Sequence, residues 1–385
     1  MVASVQHLKR GLPSLPTSLH AWPPARCCMV SPTILRNIAA NGSAEQRDVV
    51  LQTISIDASI RVARAARLEA TRPLRAERRA FRVRDTTSAA LYGPSAPSTP
   101  DITIYDAGKT ETVPGRRVRG PGDAPLGDNA VDEAFDGLGR TLGFYAEQYG
   151  RNSIDDQGAA IDGTVHFGRD YDNAFWDGER MVFGDGDGQV FNRFTISLDV
   201  IAHELTHAVT ENEAGLIYWQ QPGALNESVS DVFGSLVKQY KLNQTADQAD
   251  WILGEELLMP GINGVGIRSM KAPGTAFDDP LLGKDDQPSH MDHFVRTLDD
   301  NGGVHANSGI PNHAFYLAST AVGGPAWEKM GLVWYLTLCG PYLRSNCSFR
   351  QFARLTSAYA GAVFGRGSDE QKALRFAWQE VGLDV

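Results

Sequence analysis

The chain has 385 residues, a formal net charge of −10 and 42 % hydrophobic residues, ordinary for a globular protein. That length suits two domains plus an appendage, and no apolar run approaches the ~20 residues needed to span a bilayer. The charge is split: residues 1–100 hold 14 Lys+Arg against 6 Asp+Glu, whereas the remaining 285 hold 22 against 40. A basic head on an acidic body could bind nucleic acid, but this head has few aromatics, and a segment that docks on its own protein fits better.

In the first thirty residues Pro13, Pro16, Pro23, Pro24 and Arg26 interrupt any apolar core, so no secretory signal is visible. The patternless Pro-rich stretch before Arg26 reads as an extension ahead of the true start. Ser31-Pro32 then has the form of a helix start, with Ser as cap and Pro in the first turn. Helical spacing follows to about Arg67 through Ile34, Leu35, Ile38 and Ala39, then Val49, Val50, Leu51 and Ile54, with a break at Asn41-Gly42. Arg72 to Arg84 is basic, and Thr86 to Pro100 is a linker rich in Ser, Pro, Thr and Ala, of the kind that is readily nicked. We therefore expect residues 1–100 to be an extension, a helical propeptide and a cleavable linker.

From Ile102 to about Arg193 short β-rich runs appear at Ile102–Tyr105, Thr164–Phe167 and Met181–Phe183, interrupted by one helical stretch, Ala130 to Tyr149. The Gly-Asp repeat at 184–188 lacks the closing glutamate of an EF-hand loop, so we expect a tight turn. After Gly215 the pattern is mainly helical, in Leu225–Tyr240, Pro311–Ala321, Ala326–Leu338, Phe349–Val363 and Asp369–Val381. Cys339 and Cys347 are eight apart, and the sequence leaves open whether they pair. The expected architecture is α+β: a β-rich lobe over 101–213, a helical lobe over 214–385, and a cleft between them.

His203-Glu204-Leu205-Thr206-His207 has the H-E-x-x-H form. Residues four apart share a helix face, so both imidazoles can meet one metal ion. Twenty residues after His207 comes Glu227, and two nitrogens plus one carboxylate leave a fourth position open, as in a catalytic zinc site. Glu204 sits beside His203, so it is poorly placed to bind the same ion but can reach a water there as general base. The alternative is a surface helix with two solvated histidines. Ile196, Leu198, Val200, Ile201, Leu205, Ala208 and Val209 make this helix too apolar for that.

These segments, with Asn173-Ala174-Phe175-Trp176, Arg268-Ser269-Met270 and Asp300-Asn301-Gly302-Gly303-Val304-His305, share order and spacing with one family. From about Ile102 onward the chain resembles a thermolysin-family zinc metalloendopeptidase, most like the protealysin-type branch. The resemblance implies a two-lobe peptidase with the zinc helix between the lobes, and it extends to the short propeptides of that branch from Arg26-Cys27 through Asn41-Gly42. Those precursors often carry two prolines where this chain has Ser31-Pro32.

By the same resemblance, Tyr218 and His305 would stabilise charge on the carbonyl oxygen, with Asp300 orienting His305 and favouring its protonated form. Asp231 would hydrogen-bond the far nitrogen of His203, and Asn226 would lie near His207. Asn173, the carbonyl of Ala174 and Arg268 would hold substrate backbone. Phe191, Phe194, Val200, Leu253, Leu257 and Ile267 would line the pocket beyond the scissile bond; all are apolar, which predicts cleavage on the amino side of bulky hydrophobic residues.

The chain departs from the family's paired calcium site. Asp199, Asp250 and Glu255 remain, but Lys238 and Ile252 stand at two acidic positions and Val265 replaces an acid in another calcium loop. We expect one catalytic zinc and loss of the paired calcium site. The expected protein is a neutral endopeptidase made as an autoinhibited precursor, secreted by analogy with the family, and monomeric, with peptide and protein substrates and its own propeptide as partners. Zinc aminopeptidases share the metal motif but have a G-x-M-E-N segment that is absent here. A dead zinc-binding site is disfavoured by intact Glu204, Tyr218 and His305.

Overall fold

Ser31 and Pro32 do start a helix. The structure, a computed structural model, describes residues 28–60 and 101–385. The expected helical run beyond residue 60, the basic stretch 72–84, the linker 86–100 and everything before Cys28 lie outside the described residues. Ser31 Oγ accepts from the Ile34 amide at 3.4 Å, capping helix α1 (Pro32–Asn41). Gly42 ends it, and a second helix, α2, occupies 44–60. Ile34, Leu35 and Ile38 of α1 and Val50 of α2 are buried in the same core as the rest of the molecule.

A five-stranded mixed sheet follows, built from β1 (Ile102–Asp106), β2 (Arg116–Arg119), β3 (Ile161–Val165), β4 (Ala174–Trp176) and β5 (Arg180–Phe183), in the order β2-β1-β3-β5-β4. Strands β1, β3 and β5 run parallel, and the outer two pair antiparallel, so β4 is an edge. The sequence places a strand at 164–167, whereas β3 starts at Ile161, paired with Ile102, and stops at Val165. His166 ends it because its backbone turns left-handed, with φ of 52°. Between β2 and β3 lies the expected long helix, α3 (Asn129–Tyr149), capped by Asp128 and terminated at left-handed Gly150. The 184–188 segment is a turn: Asp187 Oδ1 accepts from the amides of Gln189, Val190 and Phe191.

The centre of the molecule is a pair of packed helices, α4 (Leu198–Glu213) and α5 (Gln220–Leu242). Helix α5 begins five residues before the expected start, because its first turn, Gln220-Gln221-Pro222, carries no apolar periodicity, and proline is tolerated there. On one side α4 meets α3 and β4; on the other α5 meets α6 (Asp300–Asn307) and α7 (Gly309–Val322). Helices α8 (Leu332–Cys339), α9 (Phe349–Phe364) and α10 (Asp369–Glu380) complete the second lobe, with Trp334 stacked on Trp378 at 6.0 Å. Cys339 and Cys347 are separate free thiols. One continuous apolar core reaches from Met29 to Leu383, so the two lobes share it. Among the described residues no helix is long and apolar enough to cross a membrane.

Candidate metal centre and active site

Helix α4 turns His203 and His207 to one face, and α5 brings Glu227 to meet them. Their ligand atoms lie within 4.8 Å of one another and all three residues are buried. The two Nε2 atoms are 3.0 Å apart, and each is 3.5 Å from an oxygen of Glu227. Bonds of about 2.0–2.1 Å in a tetrahedron place neighbouring ligand atoms about 3.3 Å apart, so this donor set fits a zinc ion.

The helices can come this close because residue 234 is glycine. A Cβ on Gly234 would stand 2.6 Å from the Asp199 carbonyl oxygen and 3.5 Å from His203 Cβ. Nothing in the apolar periodicity of α5 signals this requirement.

A polar layer sits behind the three side chains. His203 Nδ1 lies 2.8 Å from Asp231 Oδ1, and Asn226 Oδ1 is 2.8 Å from His207 Nδ1. Ser230 Oγ, 3.0 Å from the same nitrogen, was not anticipated from sequence. Asp231 also accepts from Arg268 Nε (2.9 Å) and Nη2 (2.8 Å), and from Asn312 Nδ2 (2.8 Å). Asn312 too went unrecognised, since an amide among apolar residues of α7 carries no pattern.

These charges stabilise one another in a fully buried place. Burial works to depress His203, but Asp231 and Glu227 outweigh it and hold the imidazole at about 9. Burial likewise opposes ionisation of Glu227, yet His305, His207 and His203 keep its carboxyl well below the usual range. For Asp231 the burial penalty is overcome by Arg268 and His203, leaving it at about 2. Glu204, between the histidines on α4, is fully buried.

Tyr218 and His305 stand on the other side of Glu227. Tyr218 donates its hydroxyl to Glu227 Oε1 and lies 3.4 Å from His305 Nε2. Asp300 grips His305 twice, 2.6 Å from Nδ1 and 2.8 Å from the backbone amide. Burial lowers the His305 pKa, but Asp300 and Glu227 outweigh it and raise it to about 9. The grip depends on a run of left-handed backbone from Asp300 through Gly303. A Cβ on Gly302 would meet Gln220 Cγ at 2.6 Å, so the turn needs glycine for both its φ of 84° and its packing.

Asn173 precedes the edge strand β4, and Arg268 lies on a two-residue strand paired with Leu253. Phe191, Phe194, Val200, Leu253, Leu257 and Ile267 are buried together in the core. Gly254, at φ of 67°, faces Ile267 Cγ1, Leu257 Cδ1 and the terminal methyl of Met29. The N-terminal segment therefore enters this region. Cys28 pairs antiparallel with Phe175 on β4, and Met29 and Val30 are fully buried.

The remaining carboxylate group surrounds an ammonium. Lys238 Nζ is 2.8 Å from Asp250, 3.3 Å from Glu255 and 3.7 Å from buried Asp199. It also donates to the Ile252 carbonyl at 3.3 Å.

Two family models match the chain: the catalytic domain of thermolysin metallopeptidases over residues 67–211 and their alpha-helical domain over 214–383. An extracellular metalloprotease of Pectobacterium carotovorum subsp. carotovorum is 50 % identical over 359 residues, covering 93 % of this chain and 97 % of its own. Protease PrtS of a Photorhabdus species is 48 % identical over 359 residues, covering 93 % and 92 % respectively. Among solved structures, the precursor of protealysin, a metalloproteinase from Serratia proteamaculans, is similar with a TM-score of 0.81 at 49 % identity, over 93 % of this chain and 99 % of that one.

Proposed function

The chain belongs to the thermolysin family of metallopeptidases, and from that premise we propose how its own residues carry out peptide hydrolysis. His203, His207 and Glu227 would hold one zinc ion, which when bound supplies a Lewis acid and lowers the pKa of water toward neutrality. Glu204 takes a proton from the attacking water and later delivers it to the leaving amine. His305 and Tyr218 donate to the carbonyl oxygen as charge develops there, with Asp300 keeping His305 protonated and aimed. Asp231 and Asn226 fix the two ligand imidazoles by their Nδ1 atoms. Asn173, the Ala174 carbonyl and Arg268 hold the substrate backbone.

The observation that carries this reading is the convergence of three ligand side chains, a buried Glu204 and a carboxylate-gripped His305 in one cleft. The apolar pocket of Phe191, Phe194, Val200, Leu253, Leu257 and Ile267 supports cleavage before a bulky hydrophobic residue. The segment 28–30 lying in the cleft supports an autoinhibited precursor, as does likeness to a protein solved as a precursor. Lys238 among Asp199, Asp250 and Glu255 supports loss of the paired calcium site, because its ammonium already neutralises those carboxylates. Relatives named extracellular support export of the mature enzyme.

The test is hydrolysis of a blocked peptide with Leu or Phe after the cut. The wild type should cut it in a chelator-sensitive manner. Glu204→Gln should lose about 10²–10⁴-fold in rate while retaining zinc. Equal rates in the two proteins would refute the assignment of Glu204.

A further inference from the structure

The residues in the cleft have a direction and a register. The Met29 amide donates to the Ala174 carbonyl at 3.3 Å, and the Val30 amide donates to Asn173 Oδ1 at 3.0 Å. Asn173 Nδ2 returns a bond to the Val30 carbonyl at 3.4 Å, and Arg268 Nη1 donates to the Met29 carbonyl at 2.8 Å. One residue earlier, His305 Nε2 lies 2.9 Å from the Cys28 carbonyl oxygen. A carbonyl only accepts, and Asp300 takes the other ring nitrogen, so His305 must present N–H groups on both sides. The group assigned to stabilise a reacting carbonyl oxygen thus already touches one, that of Cys28.

The side chains agree with the backbone. Met29 is fully buried, its terminal methyl beside Leu257 and Ile267 and its Sδ 3.2 Å from Arg268 Nη2. An unbranched apolar residue thus fills the apolar pocket immediately after the bond whose carbonyl His305 touches. The segment runs antiparallel to edge strand β4 through one bridge, Cys28 opposite Phe175, with one backbone bond and the rest supplied by the side chains of Asn173, Arg268 and His305.

We propose that the Cys28–Met29 peptide bond is a self-cleavage site: the occluding segment lies in the cleft as a substrate does, with Cys28 before the cut and Met29 after it. In the cut, water adds to the Cys28 carbonyl carbon and the bond to the Met29 nitrogen breaks. Cys28 leaves as a carboxylate and the Met29 amine takes up a proton. This rests on the peptidase reading above.

The fragment beginning at Met29 does not leave when the bond is cut. Asn37 Nδ2 of α1 donates to the Leu282 carbonyl at 2.7 Å, and Arg36 meets Asp299 at 3.2 Å. On α2, Thr53 Oγ1 accepts from the Asp172 amide at 3.2 Å, and buried Asp57 accepts from Tyr171 at 2.5 Å and from Asn173 Nδ2 at 3.4 Å. The cut therefore trims residues 1–28 and leaves the cleft occupied beyond the scissile bond. Release of the mature enzyme requires a second event farther along the chain.

The experiment uses the zinc-loaded full chain, wild type and Glu204→Gln, followed by intact mass and amino-terminal sequencing, with a blocked leucine peptide assayed in parallel. The expected wild-type product begins Met29-Val30-Ser31, accompanied by a peptide ending at Cys28, and Glu204→Gln stays joined there. Met29→Asp should abolish this cut and raise hydrolysis of the blocked peptide, because a carboxylate is expelled from the pocket. In chelated Glu204→Gln the Met29 and Val30 amides should resist hydrogen exchange, which reports the register without turnover. If the blocked peptide is cut while Cys28–Met29 stays joined, the proposal is overturned and the peptidase reading stands. If wild type cuts neither, the proposal is overturned, and the peptidase reading falls with it only if the blocked peptide stays intact after an added protease has removed the N-terminal segment. Freely exchanging Met29 and Val30 amides would likewise overturn the register.

Discussion

Replacing Asp231 by asparagine removes one negative charge from a place where it faces two cationic groups. Asp231 is fully buried, and Arg268 is almost so, with 4 % of its side chain exposed. Asn312 and His203 take the rest of its acceptor capacity. An amide of the same shape can still accept one bond, but it leaves the guanidinium in the core without a counter-charge. Breaking a buried pair from one side costs about 3–5 kcal/mol. At about 2–4 °C per kcal/mol for a body of this size, the metal-free protein should melt roughly 6–20 °C lower. Loss of the carboxylate behind a ligand histidine should also weaken zinc about 10–100-fold. The assay is thermal melting with chelator, together with zinc competition against a chromophoric chelator. Arg268→Met provides the other single change, and the double variant closes a cycle. Asp231→Asn melting like wild type and binding zinc equally would refute the claim that this charge network is built before the metal arrives.

Three other outcomes follow from the geometry. Gly234→Ala should cost about 1–3 kcal/mol and weaken zinc, because its methyl meets the Asp199 carbonyl at 2.6 Å and parts α4 from α5; unchanged melting and zinc titration would show that the helices shift freely. His166, between Asp185 (2.9 Å) and Asp128 (3.2 Å), is raised to about 9 by the Asp185 bond first, with Asp128 adding to it. Its folded value lies above the unfolded ~6.5, so its stabilisation is complete below about pH 6.5 and disappears as pH rises through about 9; after solvent screening it is worth about 1–2 kcal/mol, and His166→Gln should flatten that part of the stability–pH curve. Lys238→Ala should destabilise by about 2 kcal/mol and make melting respond to added calcium, whereas the wild type should not respond; a calcium-dependent rise in the wild type would refute loss of that site.

Legibility in the sequence followed the kind of signal. His203, His207 and Glu227 were readable because a four-residue interval on a helix is a geometric statement, and the structure brings them together. The long helix α3 was readable within one residue at its start from its helical pattern, and the structure adds Asp128 as its cap. His305 and Arg268 had no local signature and were reachable only through resemblance. Gly234, Ser230 and Asn312 were invisible for a different reason: each matters only where two helices touch, and no single-helix pattern encodes its neighbour. The early end of β3 had the same character, since His166, where the backbone turns left-handed, has its ring held by the cap of α3 and by the 184–188 turn, neither of which its own strand pattern encodes.

The cleft's two tasks use the same atoms. Asn173 bonds both faces of Val30 and also reaches Asp57 on α2, so the residue that would hold substrate backbone is itself held by the N-terminal segment. Arg268 is divided in the same way, its Nε and Nη2 on Asp231, its Nη1 on the Met29 carbonyl, and its Nη2 also beside Met29 Sδ. The segment's carbonyl therefore takes an Arg268 donor that the ion pair with Asp231 does not use. Occupation of the cleft and assembly of the metal site are for that reason separable. The bonds Asp231 makes to Arg268, His203 and Asn312 include no atom of residues 28–60.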